Sequence, residues 1–227
     1  MAGIPALLVV FILWKWSAGA GHGLFALARM LGQLLMIGYL LVYIFETDLP
    51  WMVLLALSVM VIAASWIALR TIPRFRGALY GYAFLSILVG GGFTVVLITQ
   101  VVLTLDPWYQ PSFVIPLAGM IFAGSMNSVS LAAERMFAEV ERGAPYVEAR
   151  RIAIQAGLIP IVNALLAVGL VSLPGLMTGQ ILSGVSPLVA VRYQVMVMCM
   201  IFGASGMSAA LFLWLLKQYE WPVLRVR

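Results

Sequence analysis

Side chains able to do chemistry are few in this 227-residue chain, and most of them are uncharged. Ser125, Asn127, Ser128 and Ser130 crowd into one apolar run, while Gln33, Gln100, Gln155 and Asn163 sit in others. Neutral amides and hydroxyls in such runs either join one helix to another or line a wet path for a solute. Nearly consecutive positions point all round a helix, so part of the Ser125–Ser130 cluster must face a cavity or another helix. Met196, Cys199 and Met200 follow the i, i+3, i+4 spacing of one helix face, a set suited to copper(I). The same residues serve equally as filler of an apolar interface. His22 is the single histidine and lies in a Gly/Ala/Ser stretch, 17–23, expected to be a loop. A His-rich metal site or a Ser-His-Asp triad is therefore out of reach. No GxxxxGK[ST] loop is present, so the chain does not bind ATP in that way. No acidic residue falls in the middle of an apolar run, which argues against a proton relay. We assign no catalytic residue and expect no cofactor in this chain.

A second concentration of chemistry is charged. Between Ala132 and Arg151 two helical stretches, carrying Glu139, Glu141, Arg142 and Glu148, meet at Gly143-Ala144-Pro145. Glycine stops a helix and proline suits the first turn of the next, so the segment reads as a helical hairpin. It is either a solvated turn or a lever by which another protein moves two helices at once.

The elements that carry these groups follow from composition. Hydrophobic residues make up 64% of the chain and charged ones 9%, against about 25% charged in a soluble domain. Lipid must be the solvent, and lipid admits only helices or closed barrels. Continuous apolar runs near 20 residues select helices over alternating barrel strands. The spacing predicts an all-α protein with seven transmembrane helices. They are a short one at Ile4–Trp14, then Leu24–Phe45, Trp51–Leu69, Ala78–Leu105, a fifth from Phe113, a sixth ending at Leu173 and a seventh from the Pro174–Pro187 stretch to Leu216. That stretch is a loop or a re-entrant segment.

With the N-terminus outside, the inner ends collect Lys15, Arg29, Arg70, Arg74, Arg76, Arg135, Arg142, Arg150, Arg151, Lys217, Arg225 and Arg227. Of the 13 basic residues only Arg192 falls outside. Outer loops carry Glu46, Asp48 and Asp106. Segregation of this kind marks membrane orientation, C-terminus in the cytoplasm, and makes a nucleic-acid partner unnecessary.

Three stretches resemble a known family. They are Arg29-x3-Gln33-Leu-x3-Gly38-Tyr39; Pro116-Leu-Ala-Gly119 with Ser125-Met-Asn127-Ser-Val-Ser130; and Leu158-Ile-Pro160 with Val168-Gly-Leu-Val-Ser-Leu-Pro174-Gly175, on through Gly184-Val-Ser186-Pro187 to Arg192-Tyr193-Gln194. The chain is similar to the bacterial Fet-type iron-export permeases, whose plant relatives include the aluminium-sensitivity membrane proteins. That resemblance implies one permease domain over residues 1–227, in a bacterial inner membrane. It also implies a homodimer working with a separate cytoplasmic ABC ATPase that holds ATP and Mg. Glu139, Glu141, Arg142, Gly143, Ala144, Pro145 and Glu148 would dock that ATPase. Gln33, Ser125, Asn127, Ser128, Ser130, Asn163 and Arg192 would line the path. The chain departs from the family pattern in lacking a threonine before Pro145 and in having Ala123-Gly124 before Ser125. The substrate expected is iron or another metal species. An anionic or chelated one such as a nucleotide sugar also suits the residues, because no buried carboxylate cluster is available and Arg192 would repel a bare cation. A scaffold that transports nothing is the alternative of a different class.

Overall fold

The computed structural model describes residues 3–16, 20–46 and 49–219. Ser17, Asp48 and the tail with Arg225 and Arg227 lie outside them. The described chain is helical, in two compact units, Met1–Leu49 and Pro50–Arg227.

The first unit holds α1 (Ile4–Lys15) and α2 (Ala20–Glu46). Pro5 opens α1 without loss, because an N–H in the first turn has no partner in the helix. At 12 residues α1 is about 18 Å long, short of the roughly 30 Å hydrocarbon core. The two helices pack where Gly23 faces Leu13, a Cβ on which would sit 3.3 Å from the leucine. His22 belongs to α2 and not to a loop, because the helix begins at Ala20. The Gly/Ala composition that suggested a loop is compatible with the first turn.

The second unit contains α3 (Pro50–Ala68), α4 (Arg76–Val96), α5 (Pro111–Glu141), α6 (Tyr146–Ala167), α7 (Gly175–Leu182) and α8 (Pro187–Leu215). Helix α4 runs on as a π-helix over Leu97–Val102. Between α3 and α4, Arg76 donates from Nε and Nη2 to the Trp66 carbonyl at 3.0 and 2.6 Å. Its guanidinium lies 3.6 Å from the centre of the Trp66 ring. A basic side chain thus satisfies a carbonyl that the end of α3 leaves free.

Helix α5 is the centre of the unit, packed on α3, α4, α6 and α8. Ile121, Val129 and Met136 of α5 are buried with Ile87 of α4 and Phe212 of α8. Among the described residues six helices are long and apolar enough to cross a membrane, and α1 is a further, shorter apolar helix. Two boundaries differ from the sequence expectation. Helix α6 ends at Ala167 and not Leu173, because Val168 turns extended and Gly169 takes φ +81°, closing a turn through its N–H to Ser172 O. The Pro174–Pro187 stretch contains α7, eight residues with no fully buried side chain. It ends at Gly184, where φ +89° suits glycine.

Candidate coupling hairpin and polar helix node

Helix α5 has 31 residues, about 46 Å, so its charged last turns project beyond an apolar layer of roughly 30 Å. The helix is stopped by residues the sequence places at Arg142–Ala144. Gly143 has φ +89°, its N–H donates to Val140 O and the Ala144 N–H donates to Glu139 O, each at 3.0 Å. This paired closure satisfies two carbonyls that a bare helix end leaves free. Pro145 then caps α6 in extended conformation, and the Ala149 N–H donates to its carbonyl at 2.9 Å.

Charge stiffens the turn. Glu139 is 7% exposed and its Oε1 receives Arg135 at 2.7 Å and Arg142 at 3.3 Å. A nearly buried carboxylate held by two arginines from the turns on either side fixes the last stretch of α5. Tyr146, the first residue of α6, donates from its hydroxyl to the Leu213 carbonyl of α8. The hairpin is therefore tied to a third helix. Of the expected coupling residues, Glu141, Arg142, Gly143, Pro145 and Glu148 are exposed on it, Ala144 is half-buried and Glu139 is the internal clamp.

Below the hairpin, α5 and α6 are zipped by small residues. Ala149, Ala153, Gly157 and Ile161 are the buried positions of α6, four residues apart. A Cβ on Gly157 would come 2.8 Å from Ser128 O and 3.1 Å from the Ala132 Cβ. Helix α5 also meets α4 and α8 at a polar node. There Ser208 Oγ donates to Ser125 Oγ at 3.1 Å, both residues fully buried. A Cβ on Gly90 of α4 would fall 2.8 Å from the Ser208 backbone nitrogen, and one on Gly124 would fall 2.9 Å from Ser205 Oγ. Small side chains let three backbones approach closely, and one pair of hydroxyls joins α8 to α5.

The polar residues grouped on α5 by sequence are thus divided in space. Ser125 and Ser128 are buried against neighbouring helices of the same chain, Ser130 is half-buried and Asn127 is exposed. Asn127 shares its exposed side of α5 with Ala123 and Glu134. Asn163 on α6, Arg192 on α8 and, within the first unit, Gln33 on α2 are exposed. The soft set is divided as well. Met200 is buried in the core, Met196 packs partly against it, and Cys199 is exposed. Cys199 lines a cavity of about 340 Å³ with Met177, Gln194 and Met198. Among the described residues no three His, Cys, Asp or Glu side chains come together.

Gly157, where α5 and α6 touch, is not among the candidate residues named from sequence. The spacing Ala149-x3-Ala153-x3-Gly157 carries that signal, since small residues four apart mark a close helix contact.

Comparison with known proteins now adds the lineage. The model of an uncharacterised protein family, UPF0014, matches residues 2–150 and 144–219. The chain belongs to the UPF0014 family. A UPF0014 membrane protein of Synechocystis is 36% identical over 92% of this chain and 86% of its own length. The probable iron export permease protein FetB of Escherichia coli is 33% identical over 82% of this chain and 76% of its own length. ALUMINUM SENSITIVE 3 of Arabidopsis thaliana is 31% identical over 83% of this chain and 73% of its own length. No solved structure matches. Membership and the apolar helices together make this UPF0014 chain a multi-pass membrane protein. The matched residues include the hairpin at Gly143 and the node at Ser125 and Ser208, so the site lies in the part shared with the family.

Proposed function

We propose that this chain is the membrane-spanning permease subunit of an ABC exporter, a homodimer powered by a separate cytoplasmic ATPase, and that it exports iron or another metal species. The observation that carries the reading is the hairpin. One 31-residue helix spans and projects, turns at a glycine-closed corner and re-enters as α6, with Tyr146 bound to α8. A push on Arg142–Pro145 would reach three helices through hydrogen bonds and packing, with no loop to absorb it. The bacterial relative named as a probable iron export permease supports both the transport class and the metal.

A bound solute must exchange its water for protein groups and later leave, and neutral amides allow both because they bind without fixed charge. Asn127 and Asn163 are exposed groups of this kind on α5 and α6. A chelated or anionic form of the metal is favoured by Arg192, an exposed cation on α8 that would raise the energy of a bare cation passing it.

The test is transport in proteoliposomes holding the chain and its ATPase, with ferrous ion, ferric citrate and a metal-free anion offered separately. ATP-dependent movement of one iron species supports the reading. ATP hydrolysis that the chain does not stimulate, with no movement of any of the three, overturns it.

A further inference from the structure

Two cavities adjoin along α8. The larger, about 850 Å³, lies between the start of α6 and the end of α8, walled by Ile154, Leu213 and Trp214 and rimmed by Glu148, Arg150 and Arg151. The second, about 420 Å³, continues between α4 and α8, walled by Phe93, Met207 and Leu211. Ala210 and Trp214 line both. From Trp214 to Met207 the groove follows α8 for about 10 Å. Each cavity falls within the roughly 300–1,000 Å³ that small-molecule sites occupy.

The ends of this groove differ in chemistry. One end carries two exposed guanidinium groups, and among the described residues neither Arg150 nor Arg151 is ion-paired. Glu148 is the one carboxylate on the rim, so two positive charges face one negative. Arg150 also lies 5.8 Å from the centre of the Tyr146 ring, a partner that leaves its charge uncompensated. The other end is apolar and sits at the level of Gly90, inside a spanning helix. Trp214 stands at the junction, 55% exposed near the end of its span, where an amphipathic ring marks the boundary between headgroups and hydrocarbon. A ligand that fits must carry an anion at one end and a chain of methylenes at the other.

We propose that this groove is a binding site for an anionic phospholipid, its phosphate on Arg150 and Arg151 and an acyl chain lying along Ala210, Met207 and Phe93. Basic pockets between helices at a membrane surface recognise anionic headgroups in this way. The site borders the hairpin through Pro145 and Val147, so bound lipid would brace α6 against α8. It does not depend on what the chain transports.

The purified full-length chain, delipidated in detergent, is offered equal phosphatidylglycerol and phosphatidylcholine, and bound lipid is counted by native mass spectrometry. Phosphatidylglycerol should be retained in preference. Arg150→Gln with Arg151→Gln should weaken that retention roughly tenfold or more, while Arg70→Gln with Arg74→Gln, outside the groove, leaves it unchanged. Ala210→Trp, which fills the junction, should lower retention of both lipids. Should that variant aggregate, the exposed arginine pair decides alone. Equal retention of the two lipids, or phosphatidylglycerol binding indifferent to the arginine pair, overturns the proposal. Displacement of the lipid by millimolar inorganic phosphate also overturns it, in favour of a soluble anion. Loss of a candidate ATPase from the arginine variant with lipid binding intact would assign the face to protein.

Discussion

Glycine is used here in two unlike ways, and the difference is visible one residue at a time. Gly143 is needed for its backbone, since φ +89° is a conformation that costs an ordinary residue about 1–2 kcal/mol. Gly157 is needed for its missing side chain, because a methyl would press on the Ser128 carbonyl at 2.8 Å, and a backbone oxygen cannot swing away. Gly157→Ala should therefore lower stability by about 1–3 kcal/mol, read as a drop in the unfolding temperature in detergent. Gly81→Ala, with nothing within 4 Å of the new methyl, should not lower it. Equal effects of the two would show that α5 and α6 are not held at this contact. Ser125 follows the same logic. Its hydroxyl meets Ser208, so Ser125→Ala should cost about 0.6 kcal/mol of stability. Sequence could name Ser125 and Asn127 as polar groups in one run but could not tell them apart, because two residues along a helix is a turn of about 200° and only the packing of α8 says which side is inside.

At the scale of elements, the hairpin is a joint with three fasteners: the glycine corner, the Glu139 clamp and the Tyr146 hydroxyl on Leu213. Tyr146→Phe removes only the last and should cost about 1 kcal/mol of stability. If the hairpin is a lever, the same change should uncouple ATP hydrolysis from transport while the ATPase still binds. Gly143→Val should go further and abolish transport in a protein that still inserts. Transport at the wild-type rate in both variants would reduce the hairpin to a turn. Much of this joint was legible beforehand, since Gly-Ala-Pro between charged helical stretches encodes a stop and a restart in local chemistry. The end of α6 was less so. Leu170, Val171 and Leu173 continue the apolar run past Ala167, yet Gly169 breaks the helix and leaves them exposed. Apolar continuity cannot reveal a backbone turn, and the isolated glycine was the only local sign.

The whole molecule poses questions of side and of assembly. The basic residues at one set of helix ends predict the N-terminus outside, so a phosphatase reporter after Arg227 should be silent and a cytoplasmic fluorescent reporter bright; the reverse result would invert the topology. Assembly turns on the exposed side of α5. Within one chain α5 is enclosed on several sides, yet Ala123, Asn127 and Glu134 remain exposed along its length. An amide in the middle of an apolar span is costly against lipid, where it finds no hydrogen-bond partner. Packing within this unit does not cover it; in the proposed dimer a second copy, or a wet path between two copies, would. With Cys199 first replaced by alanine to leave no native thiol, a cysteine at position 127 should react with water-soluble maleimide in at least one nucleotide state of the assembled transporter. It should also form a disulfide between two chains on oxidation if the same face meets its copy. A cysteine at position 125 should resist the reagent in every state, because Ser125 is fully buried against Ser208. Asn127→Ala should still assemble with its ATPase yet lose export, whereas a purely structural amide would show the opposite, weaker association with transport per complex unchanged. Reactivity at 125 but not at 127 would place the path between α5 and α8 of one chain and remove the need for a dimer to build it.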